Sequence, residues 1–222
     1  MSPEKYLNDI DSLRTRRALE LSEVKRLFSA NVASTDPLGV NSKALIVLCY
    51  AAWEGFYNDC VDVYFQFLRE NGHVISSVNW KLLIGVLDAD FDSLRSRNHS
   101  FNAKTDFICK IAEKMKVDFS QFEKSALKAQ SNLNWEKLER NFKVLEFDLN
   151  RFQKSRNKIQ HELVQWRHQI AHGDSPELSS FDAENHVDFV QDILVSLSDI
   201  FQESIVHLNE RYGAKQEHSP TG

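Results

Sequence analysis

"ALIVLCYAAWEGFYNDCVDVYFQFLREN", residues 44–71, is the stretch that decides the fold. It contains no proline and one glycine, Gly55, and it is apolar on most sides through Phe56. A helix that is apolar all round has to be buried. The segment therefore reads as the central helix of an all-α protein, running from about residue 38 to 70. In the part that is apolar on most sides, through Phe56, the one carboxylate is Glu54. A carboxylate in such surroundings must be hydrogen-bonded or ion-paired. Two roles stay open for it: a structural tie to an arginine or to backbone amides, or a group that holds a catalytic residue in place.

The flanking chain agrees with helices. Gly (7) and Pro (4) are too scarce in 222 residues to supply the turns of a β-rich fold. Fifteen Phe and four Trp are enough to fill a core. Residues 3–29 carry Tyr6, Ile10, Leu13, Leu21, Val24 and Leu27 among many charges, the pattern of an exposed amphipathic helix. "STDPLG" breaks it, and Pro37 suits the first turn of the central helix. Residues 71–133 are choppier and read as a helical insert of short helices and loops. Its basic loop "RSRNHSFNAK" (Arg95, Arg97, His99, Lys104) is either solvated or a polyanion contact. "NWEKLERNFKVLEFD" opens on an asparagine cap and spaces Leu138, Phe142 and Leu145 helically. A long helix over about 151–172 follows, stopped by Gly173 and then Pro176. The last helix carries Val187, Val190, Ile193, Leu194, Leu197, Phe201, Ile205 and Leu208. Residues 1–212 thus read as a single all-α domain, and 213–222 as a disordered tail.

Composition narrows the function. A formal net charge of −5 argues against a general nucleic-acid coat protein but leaves room for a small local basic site. The apolar run "ALIVLCYAAW" is far short of the ~20 residues of a membrane span. "MSPEKYLNDIDSLRTRR" lacks the apolar core of a signal peptide. Cys49, Cys60 and Cys109 form no CxxC pair and read as buried reduced thiols. The expectation is a soluble, cytoplasmic protein.

Chemistry concentrates at "LVQWRHQIAHGDS", residues 163–175, where Arg167, His168 and His172 share a turn and a half. Arg167 and His172 are five apart, so one ideal helix turns them ~140° from each other and ~7.5 Å along its axis. They do not touch, but both can face one cleft. His168 and His172, four apart, lie on one face and could chelate a metal. No nearby Cys or Asp pair completes a tetrahedron, and "HELVQ" has Gln165 where an HExxH motif needs histidine. No metal and no cofactor is expected. "RNKIQH", Arg156 to His161, repeats the Arg-x4-His spacing eleven residues upstream, close to three α-helical turns, so spacing alone cannot choose between the copies.

"LVQWRHQIAHGD" resembles the "Lv..RN.IAHGE" signature of the HEPN superfamily of prokaryotic helical ribonucleases. "YAAWEGF" is similar to the "YA.WEGF" helix of its MAE-type branch. The two motifs stand in the right order across about residues 40–210. Ile170, Ala171 and Gly173 select the second Arg-x4-His copy. The resemblance implies a HEPN-like helical bundle with long central helices, in which Arg167 and His172 are the catalytic pair, supported by His168 and Glu54. The family usually has Asn after the arginine; here it is His168. The implied activity is metal-independent RNA cleavage by a homodimer whose signature pairs meet at the subunit interface. Such proteins often serve in toxin–antitoxin or phage-defence systems, with an antitoxin or defence partner protein. The rival reading is a non-catalytic HEPN-like module for dimerisation or partner binding.

Overall fold

Two long helices open the chain in the computed structural model: α1, Glu4–Ser29, and α2, Val40–Glu70. The structure describes residues 2–29, 39–129, 132–178 and 181–217, without the side chains of 29 and 212–217. Among these residues there are helices, turns and one isolated bridge between Val74 and Asp118, but no strand. Among the described residues, no helix is long and apolar enough to cross a membrane. Pro37 lies outside the described residues, and α2 starts with Gly39 as its extended N-cap.

α2 is central, as its composition requires. Cys49, Trp53, Phe56, Tyr57, Cys60, Val61 and Phe67 are wholly buried. Each large side chain of this kind contributes roughly 1.5–3 kcal/mol when taken from water. α1 packs along α2 through Tyr6, Ile10 and Leu21, which is why its apolar positions recur at helical spacing. Leu27 departs from that stripe and is exposed, while Phe28 packs in its place. The last helix, α10, Ala183–Glu217, completes a three-helix layer. All eight apolar positions expected of it, from Val187 to Leu208, are buried. Its helix runs through Glu217. Residues 218–222 lie outside the described part.

The insert holds α3, Ile75–Val78; a 3₁₀ turn, Trp80–Gly85; α4, Asp88–Ser96; α5, Phe101–Lys114; and 3₁₀ turns at Phe119–Gln121 and Lys124–Leu127. The basic loop shrinks to the turn between α4 and α5, where Asn98 and His99 take positive φ. Arg97 pairs with Asp106 at 2.8 Å and Arg95 faces Asp92 at 4.0 Å, so the loop is partly neutralised. Cys49 and Cys60 are buried free thiols, but Cys109 on α5 is exposed, against expectation, because α5 buries only Ala103. A buried network ties the insert to α2. The Tyr57 hydroxyl donates to the Leu127 carbonyl at 2.8 Å, and the Asn141 amide donates to both oxygens. Asn141 belongs to α6, Trp135–Leu145, whose Asn134 cap accepts from the Lys137 N–H as its sequence predicts.

The long helix expected over 151–172 is broken. It consists of α7, Asn150–Gln153; α8, Arg156–Lys158; a π-helical segment, Ile159–Gln165; and α9, Trp166–Ala171. No glycine or proline forces the change. An α-helix would turn Val164 about 140° away from Ile159. The i→i+5 bonding of a π-helix brings both onto one wall, and Ile159, Leu163 and Val164 are all buried.

Candidate functional site

α9 is pinned to α2 by a small apolar cluster of its own. Trp166 packs with Ile46 of α2 and Leu178, flanked by Ile170 and Phe181. Burying Trp166 fixes the direction of its neighbour, Arg167. The Arg167 guanidinium lies over the Tyr50 ring, 4.4 Å from its centroid. Tyr50 is itself buried, and its hydroxyl donates to the Leu133 carbonyl at 3.1 Å. Burial pushes the Tyr50 phenol above its ordinary range, and the neighbouring Glu54 carboxylate pushes it further. Arg167 acts in the opposite direction. Tyr50 thus stands between Arg167 and Glu54, and sequence reasoning passed over it. The available signal was its place one turn before Glu54 on the same helix face. Glu54 is half-buried rather than buried, and its neighbour is the Tyr50 hydroxyl.

The C-terminal end of α9 closes as expected. Gly173 takes φ +82, and its N–H donates to the Ile170 carbonyl at 3.1 Å. The Asp174 N–H donates to the Gln169 carbonyl at 2.9 Å. These two bonds are the Schellman closure, which requires the left-handed residue that glycine supplies. His172 is the C-cap residue, with its own N–H directed at the His168 and Gln169 carbonyls. Its ring meets that of His168 at 4.4 Å between centroids, tilted by 56°. Both rings are exposed. The structure therefore groups Arg167 with Tyr50 and Glu54, and His168 with His172. No hydrogen bond or ring contact joins Arg167 to His172 among the described residues.

The upstream copy is placed differently. Arg156 lies 5.4 Å over the Trp135 ring, and His161 Nδ1 is 2.9 Å from the Gln165 side-chain oxygen. The π-helical segment between the two copies breaks the three-turn phase relation, so they do not share one α-helical stripe. Gln165, at the place of the missing HExxH histidine, partners His161 instead. The described residues hold no group of three or more His, Cys, Asp or Glu able to bind a metal.

An exposed half-basic helix end, a guanidinium stacked on a buried tyrosine and two exposed imidazoles can bind an anion and move protons. No curated protein and no solved structure matches the chain significantly. The match that is found carries the HEPN assignment without the MAE-type branch: the family model described as RiboL-PSP-HEPN covers residues 12–203, and the chain belongs to that family of HEPN domains.

Proposed function

We propose that the protein is a metal-independent endoribonuclease working as a homodimer, with Arg167 and His172 as its reacting pair. Membership of a HEPN family supports a nuclease-like, RNA-related role at the coarse level. The observation that carries the finer reading is the pose of Arg167. The guanidinium lies over the Tyr50 ring and has no ion pair among the described residues, so its N–H groups can grip a phosphate. His172, exposed at the end of α9, supplies an imidazole, a side chain able to take or give a proton.

In this scheme an imidazole takes the proton of a ribose 2′-OH. The 2′-oxygen bonds to phosphorus, the bond to the 5′-oxygen breaks, and a second imidazole protonates that leaving oxygen. Arg167 balances the charge that builds on the phosphate oxygens. One chain holds Arg167 and His172 apart, and a second copy supplies both the second imidazole and the missing juxtaposition. A face for that copy exists on α2. Val40, Ala44, Val47, Leu48 and Ala51 are exposed at helical spacing, on the helix that also carries Tyr50 and Glu54. A toxin or phage-defence role, with an antitoxin or defence protein as partner, rests on the sequence resemblance. The test is cleavage of RNA in EDTA by wild type and His172→Ala: metal-independent cleavage lost in the variant supports the reading, and equal cleavage by both refutes it.

A second reading is a non-catalytic module for dimerisation or partner binding. It draws on His168, which stands where the family signature has asparagine, and on the separation of Arg167 from His172 within one chain. Dimerisation without RNA cleavage at any pH would favour it.

A further inference from the structure

A cleft of about 400 Å³ separates the π-helical segment from the first turns of α10, and Arg167, Tyr50 and His172 are not part of its lining. We propose that this cleft binds a cation of the guanidinium or alkylammonium class. Four carboxylates line it: Glu162, Asp182, Asp188 and Asp192. Two are engaged elsewhere, since Asp188 pairs with Lys25 at 2.7 Å and Asp182 accepts the Asn185 N–H that caps α10. Glu162 and Asp192 make no side-chain hydrogen bond among the described residues. The rings of Trp166, Phe181 and Phe189 supply aromatic walls. Such a lining repels phosphates and carboxylates and attracts cations.

Two observations point to the ligand. The first is His186, which is 2% exposed while neither ring nitrogen has a hydrogen-bond partner among the described residues. Its Nδ1 is 3.8 Å from the Glu162 carboxylate, beyond hydrogen-bond length. A neutral imidazole has a lone-pair nitrogen, and leaving that acceptor unsatisfied in the interior costs free energy. A ligand rich in N–H groups satisfies it. The second is Lys158, whose ammonium lies 4.4 Å over the Phe189 ring and 3.8 Å from Glu162. The same ring and carboxylate thus already hold one alkylammonium, through no short hydrogen bond. A guanidinium would do better. Its fork can take Glu162 with two N–H groups, direct a third at His186, and stack on Phe189 in place of Lys158. The site rests on no part of the ribonuclease reading.

A free diamine or guanidine and an arginine side chain of a polypeptide share this chemistry. The test uses the full chain and follows the Trp166 indole N–H by NMR, with titration calorimetry alongside. The probes are agmatine, a capped Gly-Arg-Gly peptide and AMP. Agmatine or the peptide is expected to shift the Trp166 signal saturably, and AMP to leave it in place. Glu162→Gln should weaken binding by about tenfold or more, the scale of a lost charge-assisted pair. Lys158→Ala should tighten it, because the competing ammonium is gone. Tighter binding of the peptide than of agmatine assigns the site to a partner polypeptide, and the reverse assigns it to a free cation. A flat titration with both cations, an equal response to AMP, or unchanged affinity in Lys158→Ala would overturn the proposal. The surface position of Lys158 keeps that last variant informative even if Glu162→Gln fails to fold.

Discussion

The Arg167 guanidinium rests on the face of Tyr50, 4.4 Å from the ring centroid, and Tyr50 in turn is anchored by the Leu133 carbonyl and flanked by Glu54. The arginine of the sequence signature is therefore positioned by a buried tyrosine rather than by a direct ion pair to the carboxylate of "WEGF". Tyr50→Phe keeps the ring and should keep RNA cleavage, at a stability cost of about 1–2 kcal/mol for the orphaned carbonyl. Tyr50→Leu removes the platform and should lower cleavage as well. Arg167→Lys should lose about tenfold or more in kcat, since a point charge cannot replace the planar fork. Equal kcat for Tyr50→Leu and wild type in a single-turnover assay would remove Tyr50 from this role.

His172→Ala should lose about 10²-fold or more of the cleavage rate, the usual scale for one proton-transfer group. Cleavage by wild type should persist in EDTA, leave 2′,3′-cyclic phosphate ends and spare DNA. Restoration of an EDTA-silenced enzyme by zinc would instead favour chelation by the adjacent His168 and His172 rings.

The upstream pair should be dispensable. Arg156 is stacked on Trp135 and His161 is paired with Gln165, on a different helical phase from α9. The double variant Arg156→Ala/His161→Ala is expected to cleave within about threefold of wild type, because neither group performs a proton-transfer step of the usual 10²-fold scale. Loss of activity there, with Arg167 and His172 dispensable, would reverse the choice between the two copies.

Leu48 is 49% exposed on the apolar face of α2. Leu48→Glu places a charge there and should convert a two-fold dimer into a monomer with little RNA cleavage. Light scattering at micromolar concentration reads the first effect. A wild-type monomer under those conditions would remove the homodimer from the mechanism.

Acid should weaken the attachment of α1 to the end of α2. The Tyr6 hydroxyl donates to Glu70 at 2.6 Å and, with Gln66 and Lys5, holds its carboxyl down at about 2 from the usual 4.5. A depressed folded value favours the ionised native state, so the stabilisation is present above pH 4.5 and fades as pH falls toward about 2. Glu70→Gln should flatten the fall in urea midpoint across that window. Superimposable midpoint curves for the two proteins would discard the link.

Cores read well from sequence here because helical burial is periodic. The spacing of Val187 to Leu208 and the Asn134 cap are local patterns, and each reappears in the structure, whereas the apolar girth of α2 is buried only in part, with Val40, Val47 and Leu48 exposed. The end of α9 was equally legible, because the left-handed backbone at Gly173 is a property of the residue itself. The Arg-x4-His spacing named its residues without saying what they touch. Three features depended on packing between distant segments. The π-helical segment arises because Ile159 and Val164 must reach one wall, which no periodicity announces. The stacking of Arg167 on Tyr50 needs α9 pinned through Trp166 to Ile46, residues 120 positions apart (166 minus 46). Glu54 was expected to be buried and is half-buried, because the burial of a side chain is set by what packs over its helix face. Sequence by itself determined which side chains are apolar, which are ionisable and where the backbone can turn, since these are properties of single residues and near neighbours. Tertiary structure alone decided which of them meet, because contact across α2, α9 and α10 depends on the shapes of all three at once.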